Sequence, residues 1–521
     1  MNSSFHYPPT EEEARDFYVE LPSCPRLVAR SSTYHWTPPQ DHYTVLKTVD
    51  TVGAHPIVNL WNDSNGPMRR EIMKTVKEIN WTVVDILRVG FVRQTPTFNK
   101  SAEKPVTLLI SVQPKSTSWQ AGIDVAIKCR RILELYGIQD IEVEVLEAWV
   151  SNCHSTTSKL VSEKIIEPTT ASAQLSEFIG TSIAGMNLPH EGTKGVYLRL
   201  GREGKVVALT CRHVVFSDES ENIDYHYDQN NIISVLQPGR TTLESSVAIV
   251  QTEIKYSLLD LQKYTTRNYM REAASEESKL QDLKELEERL EHLKDDDTRV
   301  IGHVLFSPKY SLGPSTNQGG KRLRDWALIE LHPDKHRTPL QNLQNQTIAG
   351  SRGRQELDMA LDAELKRDKQ EALGVQLDFD IWTNTFNLKG TVPEDEMRHP
   401  ALQVCQSDEN VMIVGKFGRS SGLTFGLVNE VKSVQRTFAG NEWSEEWCIV
   451  GHRRKKVDQT RTDFTKRGDS GSCIFDLKGR IAGMVTGGRE TGAGVHDITY
   501  ATPIDWLLDD IRSYGFEVEL V

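Results

Sequence analysis

Between residues 41 and 150 the apolar positions switch between two periods. MRREIMKTVKEI (68–79) places them three to four apart, as a one-sided helix does, whereas TVVDILRVGFV (82–92) and VTLLISVQ (106–113) carry dense β-branched runs. WQAGIDVAIKCRRILELYG (119–137) returns to the helical period and closes on Gly137, and IEVEVLEAWV (141–150) predicts another strand. Strands interleaved with one-sided helices predict a small α+β domain over 41–150. That segment has no His, Cys or paired-carboxylate cluster at ligand spacing and no glycine-rich phosphate loop, so its residues suggest folding or partner binding. Residues 1–40, rich in Pro, Glu and Tyr without periodicity, read as a flexible arm, and the Ser/Thr-rich stretch 151–178 reads as a linker.

From residue 179 to 521 the pattern becomes short β-runs between Gly, Asn and Asp: IGTSIAG, GVYLRLG, KVVALTCRHVVF, DWALIEL, NVMIVGKFGRSSGLTFGLVNEV, EWCIVGH, SCIFDLKGRIAGMVTGG and TYATPI. Runs of this length predict a mainly β fold, a sandwich or barrel that is discontinuous in sequence. Two helical insertions interrupt it. In the first, about 257–296, Leu283, Leu286, Leu290 and Leu293 form one stripe; in the second, about 354–373, Leu357, Leu361 and Leu365 repeat the idea. Such stripes either pack on one another or on the barrel, or they dock another protein.

Composition narrows the function. Of 521 residues, 38% are hydrophobic and 26% charged, a folding composition, and the length allows several domains of roughly 150 residues. The charges sum to 61 − 73 = −12, which disfavours a nucleic-acid partner. No window approaches the 18 apolar residues of a membrane span, and the start lacks the basic-then-apolar pattern of a secretory signal. The seven cysteines are scattered without a C-x-x-C pair, so no disulfide framework and no metal site is expected, nor any cofactor. An intracellular, cytoplasmic protein fits these features.

Gly468-Asp469-Ser470-Gly471-Ser472 carries the sharpest chemical signal. A serine hydroxyl is a weak nucleophile until an imidazole takes its proton, and the oxyanion it creates needs fixed N–H donors. Flanking glycines let a turn aim the Gly468 and Ser470 amides at one point. Alone, the motif also suits an ordinary turn before a strand. His213 in KVVALTCRHVVF suits a packed or capping residue as well as a base, and Asp325 in LRDWALIEL suits a strand start as well as a buried carboxylate. Together they supply base, orienting acid and nucleophile, and such triads are recognised by role rather than spacing.

The blocks T-x-R-H-V-V, D-W-A-L-I and G-D-S-G-S resemble the signatures of chymotrypsin/trypsin-like serine peptidases. More narrowly, the chain is similar to intracellular fungal trypsin-like peptidases with an N-terminal extension; GKFGRSSGLTFGLV (415–428) and TYATPI (499–504) add to the likeness. The resemblance covers about 179–515 without the insertions and does not reach 1–150. It implies a chymotrypsin-like double β-barrel with helical insertions, with Ser470 as nucleophile, His213 as general base and then acid, Asp325 as orienting carboxylate, and the amides of Gly468 and Ser470 as oxyanion hole. It further implies a specificity pocket with Phe464 at its base and Gly488 and Ile498 on its walls, apolar and suited to small or aliphatic side chains. Secreted members place a cysteine beside the catalytic histidine, where this chain has Val214, so Cys211 and Cys473 are expected as free buried thiols. In those members the aspartate before the serine captures an amine released by cleavage; here no I-V-G-G-like start precedes IGTSIAG. The implied activity is an intracellular serine endopeptidase acting on selected protein substrates, regulated by its N-terminal domain or by a partner bound there or on the leucine-striped helices. The alternative is a catalytically silent trypsin-like scaffold for protein–protein signalling.

Overall fold

The computed structural model describes residues 6–38, 45–93, 104–152, 168–201, 204–217, 220–315, 320–349, 377–380, 382–399, 411–437, 442–451, 463–492 and 494–521. The molecule is mainly β and contains a closed six-stranded antiparallel barrel and a half-barrel sheet. The barrel runs through Trp443–Gly451, Gly422–Val428, Ile413–Gly418, Cys473–Asp476, Ile481–Glu490 and Ile498–Pro503, and closes where Trp447 meets Ala501 and Val450 meets Ile498. Its interior is packed with Val414, Val428, Ile449, Ile474, Val485 and Ala501. The half-barrel sheet includes Tyr197–Leu200, Lys205–Thr210, Ala327–Leu331, Val300–Ser307, Ser234–Leu236 and Ser182–Gly185. One apolar core joins the two units, with Leu209, Phe306 and Leu328 from the half-barrel against Ile413, Phe475 and Met484 from the barrel.

The α+β pattern of 41–150 folds as its periodicity indicates. Strands Trp81–Arg93 and Val106–Val112 pair antiparallel, Val106–Val112 pairs parallel with Glu142–Glu147, and the helix Trp119–Leu135 makes the crossover between the parallel pair. A crossover is what a parallel pair requires. Ser118 caps that helix by accepting from the Ala121 amide, and Gly137 beyond it takes φ +82. The sheet does not end there. Ser433–Arg436, a neighbour of the barrel strand Trp443–Gly451, also pairs with Trp81–Arg93, with Val434 opposite Val84, so N-terminal layer and barrel share one sheet.

Several boundaries differ from the sequence reading. Within the 1–40 segment the described residues, 6–38, are built in rather than a loose arm: Arg26–Arg30 pairs with Glu142–Glu147, and Phe17, Tyr18, Leu21 and Trp36 are buried with Ile498 and Tyr500 of the barrel. A five-residue strand carries too few positions to show a period. In the 151–178 segment, Trp149–Asn152 extends as a strand to its first residues and Pro168–Gln174 is helical; residues 153–167 lie outside the described residues. The first insertion starts at Arg240, not near 257: the helices Arg240–Thr266 and Met270–His292 form a hairpin in which Leu243 and Val250 pack on Leu283, Leu286 and Leu290. β-branched residues disguised the first helix's stripe. The leucines thus pack within the hairpin and on Ala171, while the 354–373 insertion lies outside the described residues. Among the described residues no helix is long and apolar enough to cross a membrane.

Candidate active site

His213 and Asp325 are brought together by strand pairing. Lys205–Thr210 and Ala327–Leu331 lie antiparallel with Thr210 opposite Ala327, so the residues just outside these paired ends face one another. His213 enters on the short helix Arg212–Val215 that follows the first strand. Its Nδ1 lies 2.6 Å from Asp325 Oδ2, and its backbone amide donates to Oδ1 at 3.1 Å. Both carboxylate oxygens therefore hold one residue. Nδ1 is the ring nitrogen turned to the carboxylate, which leaves Nε2 as the one directed away from it. Neighbours fix the frame: Arg212 donates to the Pro308 carbonyl at 2.9 Å and Ser307 Oγ to the Trp326 carbonyl at 2.8 Å, while Trp326 Nε1 and Arg324 Nε both donate to Asp510 at 2.9 Å.

Ser470 sits on a turn that requires its glycines. Gly468 and Gly471 adopt φ +98 and +90, a region L side chains avoid, and a Cβ on Gly468 would strike Ser420 Oγ, one on Gly471 the Thr193 carbonyl. The turn is bolted to the half-barrel: the Thr193 amide donates to the Ser470 carbonyl and Thr193 Oγ1 to the Gly468 carbonyl, each at 2.8 Å. Among the described residues the Gly468 and Ser470 amides meet no hydrogen-bond acceptor. Buried amides are seldom left so, which makes them available donors for a developing anion.

Histidine arm and serine turn meet at Val485 and Thr486 of the strand Ile481–Glu490. Cys211 Sγ, two residues before His213, contacts the Val485 carbonyl at 3.2 Å; the Gly471 amide donates to that carbonyl at 2.9 Å; Ser470 Oγ lies 3.4 Å from the Thr486 carbonyl. Gly192 sits between the arms, and a Cβ there would touch both Val214 and the Ser470 carbonyl. Ligand atoms of Cys211, His213 and Asp325 fall within 4.8 Å of one another, but both Asp325 oxygens are already engaged by His213. Cys211 and Cys473 are free, buried thiols, and desolvation pushes the Cys473 thiol up.

The pocket residues are placed differently from expectation. Phe464 is packed in the barrel interior with Val428, Ile449 and Val485, and Ile498 faces the core shared with Phe17 and Tyr18, so neither lines an opening. Position along the chain could not show which face of its strand Ile498 occupies, nor that the bend bearing Phe464 folds onto the barrel core. Gly488 is the exception: His496 packs against its Cα. Polar residues that the motif reading missed occupy that space. His496 Nδ1 lies 3.0 Å from Thr465 Oγ1, which is 2.6 Å from Thr499 Oγ1, and His496 Nε2 lies 3.3 Å from Ser151 Oγ. The space against Gly488 is therefore filled by hydrogen-bonded polar side chains.

Burial lowers the His496 pKa to about 4, against the opposing pull of Glu490 and Asp469. The folded protein thus refuses a proton that the unfolded chain accepts near 6.5, so the contribution is present above 6.5 and lost as pH falls toward 4. Between pH 7 and pH 5 it should remove about 2 kcal/mol of stability. Urea titrations of wild type and His496→Gln at both pH values test this: the variant should lose less on acidification, and an equal loss refutes the assignment.

No protein-family model matches the chain, and no curated protein matches it.

Proposed function

We propose that this chain is a serine endopeptidase of the trypsin-like, double β-barrel kind, which hydrolyses peptide bonds of selected intracellular protein substrates and is controlled by its N-terminal layer. The observation that supports the reading is a carboxylate-bound imidazole on an arm that meets, through Cys211 Sγ at the Val485 carbonyl, the same strand whose Thr486 carbonyl lies 3.4 Å from Oγ of a serine held on a positive-φ glycine turn. In the reaction, Ser470 Oγ attacks the scissile carbonyl carbon while His213 Nε2 takes the hydroxyl proton. The oxyanion meets the Gly468 and Ser470 amides, and the intermediate collapses to an acyl ester as His213 returns the proton to the leaving amine. Water, deprotonated by His213, then attacks the ester, releasing the acid and restoring Ser470. Asp325 keeps the ring in the required tautomer and stabilises it when doubly protonated.

Control has a physical basis in the sheet. Beyond Cys473 the strand Ile481–Glu490 loses its partner and exposes an edge beside Ser470, to which an extended substrate would pair. That edge is taken: Trp149–Asn152 runs antiparallel along it, Trp149 opposite Glu490 and Asn152 opposite Gly487, its end directed toward Thr486. Ser470 is 0% and His213 1% exposed in this arrangement, so turnover requires the covering strand to leave.

A fluorophosphonate probe tests both parts. Labelling should map to Ser470, vanish in Ser470→Ala, slow strongly in His213→Ala and accelerate in Val150→Pro, which removes an N–H and fixes φ in the covering strand. Complete burial of the hydroxyl is the observation that favours a silent scaffold, and absence of labelling in both wild type and Val150→Pro would establish that alternative.

A further inference from the structure

Asp469, immediately before Ser470, is fully buried and lies at the centre of the turn. Its Oδ1 accepts from the Ser420 and Ser421 amides at 2.9 and 3.2 Å; its Oδ2 accepts from the Lys466 amide at 2.9 Å and Ser421 Oγ at 2.5 Å. The cation at this carboxylate is Lys416, whose Nζ lies 3.3 Å from Oδ2 with both side chains at 0% exposure. Lys416 comes from the barrel strand Ile413–Gly418, and its ammonium also donates to Ser421 Oγ and, at 3.1 Å, to the Gly422 carbonyl. Burial works to raise the Asp469 pKa; Lys416, the Ser421 hydroxyl and the Lys466 and Ser420 amides outweigh it and hold the carboxyl below its ordinary range.

These contacts tie the turn to the barrel wall. Asp469 fixes Lys466, three residues before it, and the Ser420–Gly422 loop, and its own carbonyl accepts from Ser472 Oγ at 2.6 Å. The Gly468–Ser470 amides inherit their direction from this anchor. A buried carboxylate without a counter-charge is strongly unfavourable, so the turn depends on a cation at this spot. The strand bearing Lys416 supplies one from within the folded chain, independently of any chain terminus.

We infer that Lys416 is the positioning residue of the nucleophile turn: it pairs with Asp469 in the uncut chain, so the Ser470 site is assembled without the new amino terminus that a cleavage would create. Control then acts on access, through the strand Trp149–Asn152, and not on assembly. The inference rests on the proposed peptidase reading, and two readouts on the full chain separate them.

Hydrogen exchange read by mass spectrometry should show protected amides in peptides spanning 466–472 in wild type, and at least tenfold faster exchange there in Lys416→Ala, with peptides from the N-terminal layer unchanged. In the same variant, fluorophosphonate labelling of Ser470 should slow at least tenfold. n-Butylammonium should restore part of both, whereas n-butanol, of similar shape without charge, should not; a residue that only fills space would be rescued by either. Intact-mass measurement should find the wild-type adduct on the full-length chain. Labelling confined to a cleaved species, or unchanged exchange in Lys416→Ala, overturns the inference while leaving the peptidase reading intact. If neither wild type nor Val150→Pro is ever labelled but the exchange effect and its ammonium rescue are found, the peptidase reading falls and the Lys416 anchor stands. If Lys416→Ala fails to fold, Lys416→Arg, which retains the charge, should keep the protection that Lys416→Met loses; equal protection in both refutes the role of charge.

Discussion

Asp325→Asn is expected to lower turnover on a peptide ester by about 10⁴-fold while leaving the fold in place. The amide oxygen can still accept from the His213 backbone amide, the contact that Oδ1 makes at 3.1 Å, so the helix Arg212–Val215 keeps its anchor. The other half of the side chain becomes an NH₂ donor where Oδ2 now lies 2.6 Å from Nδ1. Two donors cannot share a hydrogen bond. The ring responds by moving its proton to Nε2, which removes the base that the proposed mechanism gives Ser470. Steady-state turnover with a matched circular-dichroism melt checks this, and a loss below about tenfold would mean that Asp325 serves the strand start alone.

Arg489→Met should cost about 3–5 kcal/mol, because it strips one partner from a buried charge network. The Arg489 guanidinium lies 3.5 Å from Asp85 Oδ2 of the N-terminal layer and 3.5 Å from Asp497 Oδ2 of the barrel, all at 0% side-chain exposure. Tyr500 donates to Asp85 at 3.2 Å, Ser433 Oγ also donates to it, and the Ser23 amide donates to Asp497 at 2.7 Å. Burial already raises the Asp85 pKa, with Arg489, Ser433 and Tyr500 opposing. Without Arg489 the pKa rises further, so the folded variant binds a proton that its unfolded chain does not. Stability is then lost as pH climbs through that interval, and the deficit against wild type should shrink from pH 7 to pH 5. Denaturant melts at both values measure it. Since the two layers share a sheet, the unfolding should remain one transition; a separate early transition of residues 6–152 would contradict the coupling.

The shared sheet also shows where sequence reading reached its limit. Period-2 and period-3.6 patterns located Trp81–Arg93, Val106–Val112 and Trp119–Leu135 to within a few residues, because each buries one continuous face. The same patterns were silent on Arg26–Arg30, whose burial comes from partners more than a hundred residues away. They also read 151–178 as a spacer, although Trp149–Asn152 pairs with Gly487–Glu490 over three hundred positions along the chain. Within the candidate site, G-D-S-G was legible because a tight turn needs positive φ at fixed positions, and that demand is written as glycine. Ile498 lies in a barrel strand, where an apolar residue reads the same whether it faces inside or outside, and Phe464, in a bend before the serine turn, gives no local sign that it packs with the barrel core. Lys416 and His496 gave no local signal, since a lysine in a strand and a histidine in a turn usually face water.

By itself, the order of residues determined the alternation of helix and strand in the N-terminal layer, the succession of short β-runs after residue 179, and the three side chains proposed to perform acyl transfer. These properties follow from local steric demands and side-chain chemistry, which neighbours along the chain suffice to express. Only the tertiary structure decided that the N-terminal sheet fuses with the barrel, that a strand of that layer covers the edge beside Ser470, and that Lys416 answers the buried charge of Asp469. Each of those depends on hydrogen bonds and charges closing between distant segments, and such closure is set by burial in three dimensions.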